Sequence, residues 1–286
     1  MNLEVARWVK FPWKDLDLRR IIMEYNQLKY NEIKSLVDNI EFSLREEDKI
    51  KIIIEKLHND RRKNVIALGY RLEKKLKDFI KENNRVKALY DNDRAYGDNL
   101  IIAGVDEVGR GPLAGPIVAA AVILDLNCQD SDILLGIDDS KALTEEKREK
   151  LDKLIRKKAL GYSISVCSND EIDRDGIAYC NNKVFKDSVY NLKKVPDMVL
   201  SDGYLIKDFN LPNKYLIKGD KKSASIACAS IIAKVYRDKI MKEYAKEYTY
   251  YDFENNVGYG TKKHIDGIKN YGICKIHRKT FLNNIL

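Results

Sequence analysis

The stretch Ile101-Ile-Ala-Gly-Val-Asp-Glu-Val-Gly-Arg-Gly-Pro-Leu-Ala-Gly-Pro-Ile-Val-Ala-Ala-Ala121 limits what this chain can fold into more than any other. One apolar run delivers two adjacent carboxylates, Asp106 and Glu107, into a glycine-rich turn, and a second apolar run, Ile117 to Leu124, follows at once. Both runs are nearly all β-branched residues and alanine, so each is expected to be a central strand covered on both faces. Carboxylates at the end of such a strand are costly unless something cationic holds them, and a metal ion is the usual partner. Neighbouring residues of a regular strand face opposite ways, so the pair can share one ion only where the strand twists out into its turn.

Two plainer readings compete. Gly109-Arg110-Gly111-Pro112-Leu113-Ala114 satisfies the loose dinucleotide-binding fingerprint. That fingerprint must open a helix facing a pyrophosphate, whereas here Pro112 and Pro116 bracket the turn and a strand-like run follows. A turn with two solvated acids is the default for a lone Asp-Glu pair, so the rest of the chain decides.

The chain has 52 basic and 44 acidic residues, a formal charge of +8, which favours a polyanionic partner. Five cysteines without a CxxC pair and only three histidines argue against structural zinc and for reduced thiols. No apolar segment approaches the roughly 18 residues of a membrane span, and the N-terminus lacks the apolar core of a secretory signal. A cytoplasmic protein with no membrane partner is expected.

Residues 1 to 97 read as a helical extension. They contain one proline, Pro12, and a single glycine, Gly69, before Gly97. Ile33, Leu36, Val37 and Ile40 mark one apolar helix face, and Val65, Leu68, Leu72, Leu76, Phe79 and Ile80 another, predicting two to four helices. Between Arg61 and Tyr90 ten Lys and Arg stand against three Asp and Glu. Such a run is either a solvated helix face or a nucleic-acid grip. Trp8 and Trp13 read as packing anchors, and Tyr96-Gly97-Asp98-Asn99 as a linker.

Residues 98 to 286 alternate short apolar runs with amphipathic segments, the grammar of an α/β domain. Gly136-Ile-Asp-Asp-Ser-Lys-Ala-Leu-Thr144 leads into a helix over 145–158 with Thr144 as N-cap. Ser140 and Lys141 sit at the mouth of that loop. Residues 162–167 read as a third strand, 171–192 as one helix or two, 198–203 as a fourth strand ending on Asp202, and 215–217 as a fifth. The fifth runs into Lys218-Gly-Asp-Lys-Lys-Ser223, and Ser223 or Ser225 caps a helix of small residues able to lie close against the sheet. If the first and fourth strands are neighbours, Asp106, Glu107, Asp202 and Asp220 converge at one sheet edge. Four acids at one point call for hard divalent cations such as Mg²⁺ or Mn²⁺. Farther on, Tyr259 between Gly258 and Gly260 suits an exposed loop that presents its ring.

Several motifs, in order, resemble bacterial ribonuclease HII, a type 2 ribonuclease H: Gly104-Val-Asp-Glu-Val-Gly-Arg-Gly-Pro-Leu-Ala-Gly-Pro116, Asp139-Ser-Lys-Ala-Leu-Thr144, Asp202-Gly203, Lys218 to Asp238, Gly258-Tyr-Gly-Thr261 with His264, and His277-Arg-Lys-Thr-Phe281. The resemblance covers residues 100 to 281, and the N-terminal hundred residues more weakly resemble the helical extension of some members. It implies a ribonuclease H-like mixed five-stranded sheet flanked by helices, with an N-terminal all-helical extension and a C-terminal helical segment. It also implies a monomeric, metal-dependent endonuclease, with Mg²⁺ or Mn²⁺ as a pair of ions, acting on the RNA strand of RNA/DNA hybrids and 5′ to single ribonucleotides embedded in duplex DNA. By motif position, Asp106, Glu107, Asp202 and Asp220 are similar to the catalytic, metal-binding carboxylates. Gly109, Arg110 and Gly111 match the turn that recognises the ribose 2′-hydroxyl, and Tyr259 the tyrosine that stacks at the RNA–DNA junction. Ser140, Lys141, Lys218, Lys221, Lys222 and Lys234 would contact phosphates, which position a duplex without reading sequence.

Val257, Tyr204 and Tyr236 depart from the common pattern, the first where many relatives have lysine, the second where asparagine is common, the third where a small residue stands. The sister family ribonuclease HIII lacks the Gly-Arg-Gly turn, and a binding protein that had lost catalysis would be missing a carboxylate; none is missing.

Overall fold

A computed structural model describes residues 27–283, so Trp8 and Trp13 lie outside the described residues. By compactness the chain divides into residues 1–85 and 86–286, and the division falls inside a long helix.

In the first unit, helices α1 (Tyr30–Asp38), α2 (Glu47–His58) and the first part of α3 (Lys63–Arg94) surround a core that includes Ile33, Val37, Ile50, Ile53, Leu57, Val65, Leu68 and Leu72. The expected apolar faces are the buried ones. The absence of a side chain at Gly69 lets α2 and α3 approach closely: a Cβ there would stand 2.5 Å from the His58 ring. On α3, Lys77 pairs with Glu73 and Arg85 with Glu82, solvated pairs that add little to stability.

The second unit is built on a five-stranded sheet of order β3-β2-β1-β4-β5. Its strands are β1 (Ile102–Val108), β2 (Ile117–Ile123), β3 (Gly161–Cys167), β4 (Met198–Asp202) and β5 (Asn213–Leu216). β2 lies antiparallel to β1 and β3, whereas β4 lies parallel to β1 and β5. The sheet is therefore mixed, and β1 and β4 are the neighbours that the carboxylate argument required. Every residue of β2 is buried, as is all of β1 except Glu107. At about 1.5–3 kcal/mol for each fully buried Val or Ile, these two strands dominate the core.

Helix α4 (Glu145–Lys158) has the predicted bounds, with the Thr144 hydroxyl accepting the Lys147 N–H. Residues 169–190 form two helices, α5 (Asn169–Asp175) and α6 (Ile177–Tyr190), broken at Gly176. Helix α7 (Ala224–Glu247) is capped by Ser223, whose Oγ accepts the Ile226 N–H. Short α8 (Phe253–Asn256) and α9 (Lys262–Tyr271) follow. α7 covers one face of the sheet, with Val108, Val118, Ala120 and Val122 beneath it; α6 covers the other, over Ala103, Val105, Ala119 and Ala121. The small residues of α7 serve close approach: a Cβ on Gly104 would lie 2.1 Å from the Ser225 carbonyl carbon.

Of the boundaries that differ from the sequence reading, two bear on the site. The fifth strand begins earlier and ends at Leu216, because its register is set by β4, with Val199 opposite Asn213. And β1 runs on through the acid pair to Val108, paired across to Val118. Asp106 and Glu107 thus lie within the strand and not in the turn, because β2 continues to supply a hydrogen-bonding partner past them.

Candidate active site

The pleat sends Asp106 to the α7 side of β1 and Glu107 to the other, yet each carboxylate is felt by its neighbours. Asp106 is 7% exposed; its Oδ1 accepts the Glu107 N–H at 2.8 Å, and the Ser230 hydroxyl of α7 favours its charged form. Burial first, and then the Glu107 charge, push Asp106 well above the usual carboxylate range. Burial followed by the charge of Asp202 lifts Glu107 to about 7, against the opposing pull of Arg110 and Lys141. Asp202 ends β4, where its Oδ1 accepts the Gly219 N–H at 2.6 Å, tying the strand end to the turn that carries Asp220. Asp220 sits in a 3₁₀ turn, Gly219–Lys221, and is raised by burial and by Asp139 and Asp202. The structure thus brings the four predicted acids into one electrostatic group. Among the described residues no lysine or arginine forms an ion pair with any of them, and no three or more carboxylate, imidazole or thiol groups are drawn close enough together to hold a metal ion as they stand. The donor set is hard oxygen throughout and short of positive charge, which fits Mg²⁺ or Mn²⁺.

The last turn of α3 supports this group. Asp93, fully buried and pushed up to about 6 by that burial, accepts the Ser225 N–H at 2.9 Å, and Asn92 donates to the Lys222 carbonyl. Together they hold the segment directly after Asp220 against the N-terminus of α7, where a negative charge is favoured.

The other candidates separate into exposed and engaged groups. Lys141, Lys218 and Lys221 are exposed; Lys221 lies 3.8 Å from Asp139 and Lys218 takes a left-handed conformation entering the Asp220 turn. Ser140 is turned inward, its Oγ 2.9 Å from Ser230 Oγ. The Lys234 amine is bonded to Asp238 at 2.8 Å on α7 and is not brought to the carboxylates. Arg110 lies with its guanidinium 4.4 Å from the centre of the Tyr204 ring, a cation–π contact made by one of the residues that depart from the common pattern. Tyr259 is 40% exposed, and a methyl group placed on Gly111 would stand 4.0 Å from its ring edge. The tyrosine and the Gly109–Gly111 turn are therefore adjacent.

Beneath these two turns lie functional residues that sequence reasoning missed. Arg278, fully buried, donates to the carbonyls of Gly109, Arg110 and Gly115. Arg237, also fully buried, donates to those of Ala114, Pro116 and Val257. Burial lowers both guanidinium groups, to about 9 and about 10. The turns are further stitched by Leu113 N–H to Gly258 O, Gly115 N–H to Ile276 O, and Arg278 N–H to Leu113 O. Gly109 is required here: its φ is +92°, and a Cβ would stand 2.2 Å from Arg237 Nε. Both arginines stood in the motif words that carried the resemblance, but nothing local in sequence marks guanidinium groups five of whose six acceptors lie more than 100 residues away.

The ribonuclease HII family profile matches residues 103–284. The chain belongs to the ribonuclease HII family. Similar proteins include the ribonuclease HII of Clostridium perfringens, 58% identical over 261 residues and covering 91% of this chain and 96% of that one. That of Clostridium beijerinckii is 54% identical over 264 residues, covering 92% and 98%. Among solved structures, ribonuclease H2 of Pyrococcus horikoshii superposes with a TM-score of 0.56 at 27% identity, over 64% of this chain and 96% of that one. The RNase HII of Archaeoglobus fulgidus, solved in a complex with PCNA, gives 0.53 at 25% identity, over 63% and 94%. As a ribonuclease HII, the protein is a hydrolytic endonuclease with ribonuclease H activity. No described helix is long and apolar enough to cross a membrane.

Proposed function

We propose that this ribonuclease HII hydrolyses the RNA strand of RNA/DNA hybrids and nicks duplex DNA on the 5′ side of single embedded ribonucleotides, leaving 3′-hydroxyl and 5′-phosphate ends and so initiating ribonucleotide removal. The observation that carries the reading is a group of crowded carboxylates, without an ion-pair partner among the described residues, beside a glycine-arginine turn with an exposed tyrosine at its edge.

Asp106, Glu107, Asp202 and Asp220 would hold two divalent ions, Mg²⁺ or Mn²⁺. When bound, such a pair readies a water for in-line attack on phosphorus and stabilises the departing 3′-oxygen, so no histidine or serine nucleophile is needed. The chain's own residues do the rest. The backbone of Gly109 to Gly111 reaches the 2′-hydroxyl, the group that distinguishes RNA from DNA. Arg110 offers a forked donor to a phosphate beside it. Tyr259 stacks on the deoxyribose that follows the ribonucleotide. Lys141, Lys218 and Lys221 contact phosphates and position the duplex. The helical region before residue 98 adds a grip on the duplex through its basic face, and the enzyme acts as a cytoplasmic monomer.

The test is cleavage of a DNA duplex carrying one ribonucleotide, beside a uniform RNA/DNA hybrid, with Mg²⁺, Mn²⁺ or EDTA. Metal-dependent scission 5′ to the single ribonucleotide is expected; cutting of the uniform hybrid alone would defeat the junction reading.

A further inference from the structure

Two of the chain's three histidines, His264 and His277, are fully buried side by side and have no part in the chemistry above. Their Nε2 atoms are 3.0 Å apart, enclosed by the rings of Tyr251 and Phe253. Two neutral imidazoles can share such a contact only if one donates and the other accepts, and the flanking bonds decide which.

At one end, the backbone N–H of Cys274 points at His277 Nδ1 from 2.9 Å, and the Cys274 thiol lies 3.0 Å from the same nitrogen. A backbone N–H can only donate, so His277 Nδ1 accepts and the ring proton sits on Nε2. The Cys274 carbonyl, 3.3 Å from Nδ1, is the poorer partner and already accepts the His277 N–H. His277 Nε2–H therefore donates to His264 Nε2. The proton of His264 is left on Nδ1, which lies 2.9 Å from the carbonyl oxygen of Tyr259 and donates to it. Each of the four ring nitrogens has one partner of the right kind. Both imidazoles are held neutral: burial lowers each, and His264 adds to the lowering of His277, to about 4.

The line of bonds starts in the C-terminal segment, one residue from Arg278, whose guanidinium holds the Gly109–Arg110 turn, and it ends on the backbone of Tyr259. We infer that His264 and His277, locked in opposite tautomers, form a relay that positions the Tyr259 turn against the Gly109–Gly111 turn, and so set the preference for an RNA–DNA junction over a uniform hybrid. The inference rests on the reading of Tyr259 as the junction contact. They are positioning residues and touch no substrate.

Asparagine and glutamine separate the two bonds of His264. Asparagine places an amide where Nδ1 was and can still donate to Tyr259; glutamine reaches the Nε2 position and keeps only the bond to His277. Both remove a buried ring, so their melting temperatures should fall alike. His264→Gln is expected to lower the ratio of kcat/KM on a single-ribonucleotide duplex to kcat/KM on a uniform hybrid by about tenfold, the scale of one hydrogen bond that orders a recognition turn. His264→Asn should hold that ratio within about twofold. Equal effects of the two on the ratio would overturn the positioning role. Separately, two-bond ¹H–¹⁵N correlation spectra of the full-length, histidine-labelled protein should show His277 protonated at Nε2 and His264 at Nδ1. Like tautomers, or a charged ring at neutral pH, would overturn the relay. Tyr259→Ala, assayed alongside, distinguishes the two failures. If it leaves the ratio unchanged, the junction role of Tyr259 falls and with it the selectivity claim, whereas opposite tautomers would still uphold the relay as the anchor of that turn.

Discussion

Two clusters of buried charge lie within one domain, and they are treated in opposite ways. The carboxylates at the ends of β1 and β4 are crowded together, desolvated and without an ion-pair partner among the described residues. The guanidinium groups of Arg237 and Arg278 are more deeply buried still, but their bonds end on six backbone carbonyls. The first cluster is left wanting charge and so is ready for ions and substrate. The second is satisfied, and therefore stiff. On the proposed reading, reaction and recognition rest on different physics: an unbalanced site beside a balanced scaffold.

The strongest way to break the contrast is at the unbalanced side. Asp106→Asn should reduce cleavage at least about a hundredfold, the scale of losing one preorganised electrostatic interaction, while duplex binding stays measurable by fluorescence anisotropy. On the balanced side, Arg278→Ala leaves three buried carbonyls without donors and should cost about 3 kcal/mol or more in urea unfolding. Arg278→Lys should recover only part of that loss, because an ammonium cannot span all three acceptors.

Glu107 sharpens the comparison through pH. Its carboxyl is raised in the folded protein from 4.5 to about 7, so the native state holds this proton more tightly than the unfolded chain does. Without divalent ions, stability should therefore be greater below about pH 4.5 and decline as pH rises to about 7. Glu107→Gln should remove this group's share of the decline, leaving that of Asp93, Asp106 and Asp220, and raise stability at pH 8 on the order of 1–3 kcal/mol while abolishing activity. Thermal melts in EDTA across this range check it; an unchanged slope in the variant would deny that Glu107 is held at a loss.

The smallest effect concerns Val257. It adopts a left-handed conformation, φ 44° and ψ 35°, unfavourable for a β-branched residue, at the end of α8 where its carbonyl accepts from Arg237. Val257→Asn should stabilise the protein by about 1 kcal/mol without disturbing that bond, read as a rise in melting temperature.

What could be read from sequence follows from how local its causes are. Helix α4 was legible to the residue because Thr144 and the charge pattern after it lie within one segment. The central strands, and the nearness of the four acids at their ends, were legible because apolar runs and the carboxylates that close them are chain-local signals. The continuation of β1 through Asp106 and Glu107 was not, because it depends on Ala119 and Ala120 across the sheet. Val257 stood out as an unusual residue, but its backbone strain belongs to the folded turn. Arg237, Arg278 and the histidine pair were visible only as letters in motifs, since their partners are brought together by tertiary structure.

The close seating of α7 on Gly104 has a metric consequence. Ser230, which bonds Ser140 and acts on the Asp106 carboxyl, and Arg237, which holds the Gly109–Pro116 segment, are seven residues apart on this one helix. Two turns of helix are about 10.5 Å long and nearly inextensible. The helix is a gauge block between the place where a ribose would be read and the place where its phosphodiester would be cut. A single residue inserted between Ser230 and Arg237 would turn one of them away by about 100°, leaving every side chain of the site intact and the register between reading and cutting lost.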